Sequence, residues 1–342
     1  MNANPSQPSD AKDLLHTLLD ANLQLPPEYR DHLTNHMPMA LYALQSLGAS
    51  PQRMQEFYTR YARRFQGLPA PVPDTTTDLS TLDWRALRGQ DHAYPELLAY
   101  FTDLVAHQSM EDTLHQVLPE LMQGVAAAAF HGAIRTAYAV KAGHARELAA
   151  GLSYWAWRWQ KLETPPVADN VLTFDTWAAR LLQESTDWRS DGPLISIRMD
   201  EASRSEVYHA LAGALAPATS LTARIAELST LAVDRYTASP NFTVLHMITG
   251  LWALRTLSPW IADTEAVQAI LAHNFVAAYM AAHVKTTAMP PAIPTRNWDA
   301  VIAAATASDD DHVIKLVHAC REEASVYGEG KYLRAATLVT GM

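Results

Sequence analysis

Four histidines stand where a polar ring has few ordinary reasons to be. His36 lies in LTNHMPMALYAL, His131 in VAAAAFHGAIRTAYAV and His246 in NFTVLHMITGLWAL, while His312 opens DDDHVIKLVHA. Each stretch is apolar at helical spacing, so each ring is expected to be buried. Burying an imidazole is unfavourable unless it is paired, which asks for four separate partners or one shared partner. A metal ion is the economical shared partner. Neutral imidazole suits zinc, copper, iron and nickel alike, so the ligand type does not choose the element. Lys315 follows His312 at i+3 and projects from the same helical face. Read without a site, it snorkels to solvent or pairs with the acidic run Asp309, Asp310 and Asp311.

Holding four such rings requires helices, and the pattern supplies them. Helical periodicity runs through nearly the whole chain and two-residue alternation is scarce, which predicts an all-α, multi-helix bundle. Helices are expected near 10–22, 27–48, 51–65, 94–107, 110–122, 124–142, 144–160, 174–186, 200–215, 219–236, 241–257, 263–284, 297–306, 309–325 and 330–338. Ser50-Pro51 offers a cap with proline at the first helical position, and Ser308 precedes three carboxylates placed where the helix dipole favours negative charge. Pro38 falls inside a helical pattern two residues after His36. A proline in a helix interior costs about 3 kcal/mol, so the helix should kink or restart there. The proline-rich stretches 68–78, 163–170 and 289–295 cannot continue a helix. Of these, 163–170 is the candidate boundary between halves. A site built from His36 and His131 together with His246 and His312 needs both halves, so one interleaved domain over 1–342 is expected.

Composition narrows the function classes. The chain has 342 residues, 49% of them apolar and 18% charged, which is a globular and not a disordered composition. A formal net charge of -10 without a basic block disfavours nucleic acid and anionic membranes as partners. The single Cys320 excludes a disulfide framework and a Cys-rich metal site. The opening MNANPSQPSDA does not read as a signal peptide, and no apolar run reaches the length of a membrane span, so a cytoplasmic location is expected. No GxGxxG follows a strand, and P-loop, GxSxG and HExxH are all absent, which leaves an organic redox cofactor without a recognisable binding motif. Oligomeric state is not legible.

The stretches NHMPMALYALQSLGAS (35–50), FHGAIRTAYAV (130–140), FTVLHMITGLWALR (242–255) and DDDHVIKLVHA (309–319) together resemble the questin oxidase-like family. The resemblance runs in order from about 30 to 325, while 156–195 and the last fifteen residues match nothing specific. It implies an oxidoreductase that opens a ring of an anthraquinone. Such enzymes were described first as Baeyer–Villiger-type with reduced nicotinamide, and later as dependent on non-haem iron and dioxygen. The absence of a flavin motif agrees with the second description; a need for NADPH is left open. The resemblance further implies His36, His131, His246 and His312 as Fe(II) ligands. Lys315 would add an oxygen ligand if its neutral amine had captured carbon dioxide as a carbamate, since burial lowers a lysine's pKa.

An aromatic polyketide-like substrate is flat and phenolic, which asks for a mostly apolar pocket with a few placed donors. Arg135, one turn after His131, is a candidate partner for a phenolate, and Tyr138 and Trp252 lie on the same or adjacent apolar helices. Trp155, Trp157 and Trp159 read as core. Two other readings stay open. Glu206 and His209 form a Glu-x-x-His unit of the kind used by di-iron carboxylate bundles, with Asp112 and His115 a poor second copy. A non-catalytic binding protein with satisfied core histidines would carry no metal at all.

Overall fold

The computed structural model describes residues 8–166, 170–284 and 296–341. Its helices are α1 (Pro8–Asn22), α2 (Met37–Ser46), α3 (Pro51–Ala62), α4 (Tyr94–His107), α5 (Met110–Leu121), α6 (His131–Ala142), α7 (Ala145–Trp157), α8 (Phe174–Glu184), α9 (Ile195–Ser203), α10 (Glu206–Ala212), α11 (Leu221–Ala238), α12 (Phe242–Leu257), α13 (Glu265–Ala281), α14 (Trp298–Ala307), α15 (Asp311–Tyr327) and α16 (Glu329–Thr340). Among the described residues the only sheet is a ribbon of β1 (Glu28–Tyr29) against antiparallel β2 (Leu33–Thr34). The protein is thus mostly helical, as its periodicity implies, and no described helix is long and apolar enough to cross a membrane.

Four helices define the interior. α2 packs on α6, α6 on α12, α12 on α15, and α15 back on α2, a closed circuit that alternates between distant parts of the chain. Helices from both sides of 163–170 therefore interleave in one body, and residues 167–169 of that connection lie outside the described residues. The inner faces are Ala- and Leu-rich: Ala40, Leu44, Ala133, Ala137, Ala253, Leu316 and Ala319 are essentially without exposure. Small residues let the helices approach. At Gly132 an added Cβ would stand 2.6 Å from the Trp155 ring, so any side chain there would displace the indole.

Several boundaries differ from the periodicity, each for a local reason. The stretch 27–36 is the β1–β2 ribbon and not the start of a long helix, because α2 begins only at Met37. Pro38 then falls within the first two helical positions, where its missing N–H is no loss. Instead of one helix over 124–142, Ala128, Ala129 and Phe130 have φ of 46°, 56° and 70°, and α6 starts at His131. The expected 200–215 helix is two, α9 and α10, with Ser205 capping the second. At 308–311 the cap is Asp310, whose side chain accepts from the His312 N–H, and not Ser308. The proline stretch 289–295 lies outside the described residues.

Candidate metal centre and its cavity

Helix starts deliver three of the four histidines to one place. His36 is the residue before α2, His131 the first residue of α6, and His312 the second of α15; His246 sits in the second turn of α12, which Asn241 caps. The run of left-handed residues before His131 includes two alanines and a phenylalanine, a conformation such side chains rarely adopt. It turns the Ala128 carbonyl back onto the His131 ring.

The rings form a closed circuit in the same order as their helices. Centroids are 4.6 Å apart for His36 and His131, 4.8 Å for His131 and His246, 5.3 Å for His246 and His312, and 4.7 Å for His312 and His36. His246 and His131 are buried, at 1% and 6% exposure, and His36 at 7%. The four line the floor of a cavity of about 1050 Å³, whose walls include Phe242, Trp157, Trp159, Leu194 and Ile197. Of the tryptophans read as core, Trp155 is fully buried, but Trp157 and Trp159 wall this cavity.

Each ring has its Nδ1 committed. His131 Nδ1 donates to the Ala128 carbonyl and His246 Nδ1 donates to the Phe242 carbonyl at 2.8 Å. His36 Nδ1 lies 2.6 Å from Asp311 Oδ1, and His312 Nδ1 is 3.0 Å from the same oxygen. A carbonyl can only accept, so the protons of His131 and His246 sit on Nδ1 and each Nε2 carries the free lone pair. Buried Nε2 atoms of His131 and His312 have no hydrogen-bond partner among the described residues. This is the pattern of a metal-binding imidazole, oriented from behind through its other nitrogen.

Burial, helped by nearby positive charge, keeps His36, His131 and His246 neutral. Burial depresses His36 to about 3, with the Lys315 charge pushing the same way and Asp311 opposing. Burial, followed by the neighbouring histidines and Lys315, holds His131 and His246 well below the ordinary value. Lys315 itself is 1% exposed and forms no ion pair among the described residues. Burial pulls it down to about 8 against the attraction of Asp311 and Asp310. Asp311, though buried, stays well below the usual carboxylate range because His36 and His312 surround it. Its other oxygen accepts from Arg64 at 3.2 Å.

Asp311 is the residue that sequence reasoning missed. Within a run of three acids it read as part of a helix N-terminus, and it is that, but it is also 3% exposed beside two imidazoles. His36, Asp311 and His312 each offer a donor atom within 4.8 Å of the others, a buried group that could hold a metal ion. The structure thus brings His36, His131, His246 and His312 together, with the buried Lys315 near enough to act electrostatically on His36, His131 and His246. It does not bring in Arg135 or Tyr138. Arg135 is 3% exposed and gripped by Glu147 through bonds of 2.6 and 3.0 Å, and Tyr138 meets His318 Nδ1 at 3.1 Å; neither lines the cavity over the histidines. Glu206 and His209 are likewise outside it, His209 pairing with Glu163 at 3.2 Å.

Helical circuit and histidine floor define a class: a mostly helical protein with a buried group that could hold a metal ion beneath a roomy, aromatic-walled cavity. The family model described as Questin oxidase-like matches residues 33–320, and the chain belongs to that family. Membership implies an oxidoreductase, with anthraquinone-type molecules as the substrate class. No curated protein matches the chain.

Proposed function

We propose that the chain is a non-haem iron oxygenase that uses dioxygen to open a ring of an anthraquinone-like polycyclic phenol or its hydroquinone. The observation that carries this is the closed circuit of four imidazoles, each tied by Nδ1, on the floor of the cavity. The donor set fits a metal: His36, His131 and His246 held neutral, two orphaned Nε2 atoms, and a carboxylate behind two of the rings. His36, His131, His246 and His312 would be the ligands, with Asp311 holding two rings in register. Asp311 serves better as orienter than as ligand, since its two oxygens already engage His36, His312 and Arg64. When bound, Fe(II) supplies one-electron chemistry with dioxygen that no side chain can provide.

The chain's own part is positioning and exclusion of water. Phe242 packs against both His246 and His312 at 4.7 Å and lines the same cavity beside them. Trp157 and Trp159 give the cavity wall aromatic surface, with Arg158 3.7 Å over the Trp157 ring and Arg88 4.7 Å over the Trp159 ring. Three helices begin at the floor, and their N-terminal dipole ends favour negative charge there, which suits an ionised phenol more than a cation. Asp309, Asp310 and Asp311 offset that bias in favour of a metal. Lys315, lowered to about 8, has a larger neutral fraction than an ordinary lysine, and that neutral amine would react with carbon dioxide, forming an N–C bond and releasing a proton, to give a carbamate whose oxygen could serve as a ligand.

Two measurements test the reading. Purified without chelators, the protein is expected to hold about one iron per chain, and His131→Ala is expected to lose it while remaining folded. Turnover of an anthrahydroquinone under labelled oxygen gas should leave label in the ring-opened product. Absence of metal together with failure to take up Fe(II), or label arriving only from water, defeats the reading; strict dependence on added flavin does so as well.

A further inference from the structure

The cavity contains three arginines, and only two are neutralised. Arg64 meets Asp311, and Arg158 meets Glu28 at 2.5 Å and Asp91 at 3.0 Å. Arg198, projecting from α9, instead donates only to uncharged oxygens: Nε to the Ala281 carbonyl at 3.2 Å, and its terminal nitrogens to the Gly192 carbonyl at 3.1 Å and Thr243 Oγ1 at 3.5 Å. No carboxylate of the described residues lies within ion-pair distance of it. Of the two acids on its own helix, Asp200 pairs with Arg204 and Glu201 accepts from Ser190 Oγ. Burial pulls the Arg198 guanidinium down and no neighbouring charge raises it. A half-buried cation left without a counter-charge, on the wall of a cavity, is a group waiting for an anion.

The surroundings favour the same ligand. Thr243 is in the first turn of α12, so the guanidinium stands at a helix N-terminus, where oriented N–H dipoles add positive potential. Of the five guanidinium N–H groups three are used, which leaves one on each terminal nitrogen. Leu194 and Ile197, on either side of α9's start, supply apolar wall next to it. His246 is one turn along α12 from Thr243, so Arg198 is anchored on the helix that also carries one of the four histidines.

We propose that Arg198 and the start of α12 form a subsite for an ionised carboxylate carried on the aromatic substrate. This rests on the reading of the cavity as a site for polycyclic aromatics and adds the charge that such a substrate bears. Arg198 is then a positioning residue that fixes which ring faces the histidines.

The test is equilibrium binding of two isosteres, anthraquinone-2-carboxylate and anthraquinone-2-carboxamide, to the protein as purified with whatever metal it holds. The wild type is expected to prefer the carboxylate by at least about tenfold, the usual scale of a charge-assisted pair. Arg198→Met should erase the preference while leaving amide affinity within about twofold, and Arg198→Lys should restore part of it. Because Arg198 is held only by carbonyls and a hydroxyl, metal content and melting temperature should change little in either variant. Equal affinity of the wild type for the two compounds overturns the subsite and leaves the aromatic reading standing. A preference that survives Arg198→Met overturns the assignment to Arg198. Failure to bind either compound overturns the aromatic reading and the subsite with it.

Discussion

Arg135 and Lys315 are both cations sealed in a helical interior, and they are solved differently. Arg135, on α6, meets the Glu147 carboxylate from α7 in a two-pronged grip. Burial pulls the guanidinium down, yet Glu147 more than offsets it, so Arg135 ends above its ordinary value. Lys315 has no such partner among the described residues and falls to about 8. A buried charge whose counter-charge is built in is part of the scaffold. One whose counter-charge is missing is an expense that folding alone does not explain, and its charge is felt by His36, His131 and His246. The pairing, and not the burial, is what distinguishes the two residues.

The largest effect should come from breaking the complete pair. Glu147→Ala strands a guanidinium in the core and is expected to cost about 3–5 kcal/mol of stability, measured by denaturant unfolding. The double replacement Arg135→Met with Glu147→Leu should recover most of that, because no lone charge remains. Metal bound per folded molecule should be unchanged in both variants. A loss of metal specific to Arg135→Met in the folded fraction would return Arg135 to the site.

Next comes the carboxylate behind the rings. Asp311→Asn keeps the shape but removes the charge that orients His36 and His312, and should weaken metal binding about 10–100-fold, the range for such supporting groups. Competition with a chelator of known affinity reads this directly. An unchanged affinity would detach Asp311 from the metal and leave it a helix-start residue. At Lys315 stability and metal should move in opposite directions. Lys315→Met removes an unpaired buried cation and is expected to stabilise the metal-free chain by roughly 1–3 kcal/mol. Lys315→Arg, permanently charged, should lose metal, and Lys315→Glu should keep more of it than the Arg variant. Full occupancy in Lys315→Arg would remove lysine from the ligand set.

How much of this the sequence disclosed follows from the range of the interactions. His36, His131, His246 and His312 were visible because an isolated polar ring in an apolar helical run is a local signal. The helix circuit that gathers them was not, since it depends on which of many apolar faces meet. Arg135 misled for the same reason. One turn after His131 it seemed aimed at a ligand, but the facing residue is Glu147 on the next helix, and no local pattern announces that pairing. Asp311 was hidden by good company, as three consecutive acids at a helix start have a sufficient reason without any site. The three left-handed residues before His131 left no trace, because Ala and Phe are not residues from which such a conformation is read.

A third buried charge sits between the two extremes and gives the smallest, most discriminating test. Glu323 on α15 accepts from Arg255 at 2.7 Å through one oxygen, while its other oxygen is buried without a partner. Burial pushes the carboxyl up to about 7, with Arg255 pulling the other way. Since the folded value lies above the ordinary one, the folded chain holds a proton that the unfolded chain releases first. Its contribution to stability is therefore full below about 4.5 and is lost as pH rises through about 7. The loss is on the order of 2 kcal/mol, given that one side of the carboxyl remains paired. In Glu323→Gln the side chain cannot ionise, so this falling component of stability between pH 5 and 8 should vanish, whereas Glu147→Gln should leave it intact. Parallel stability–pH curves for wild type and Glu323→Gln would mean that Arg255 completes this pair as fully as Glu147 completes Arg135, and the gradation from scaffold to site would lose its middle term.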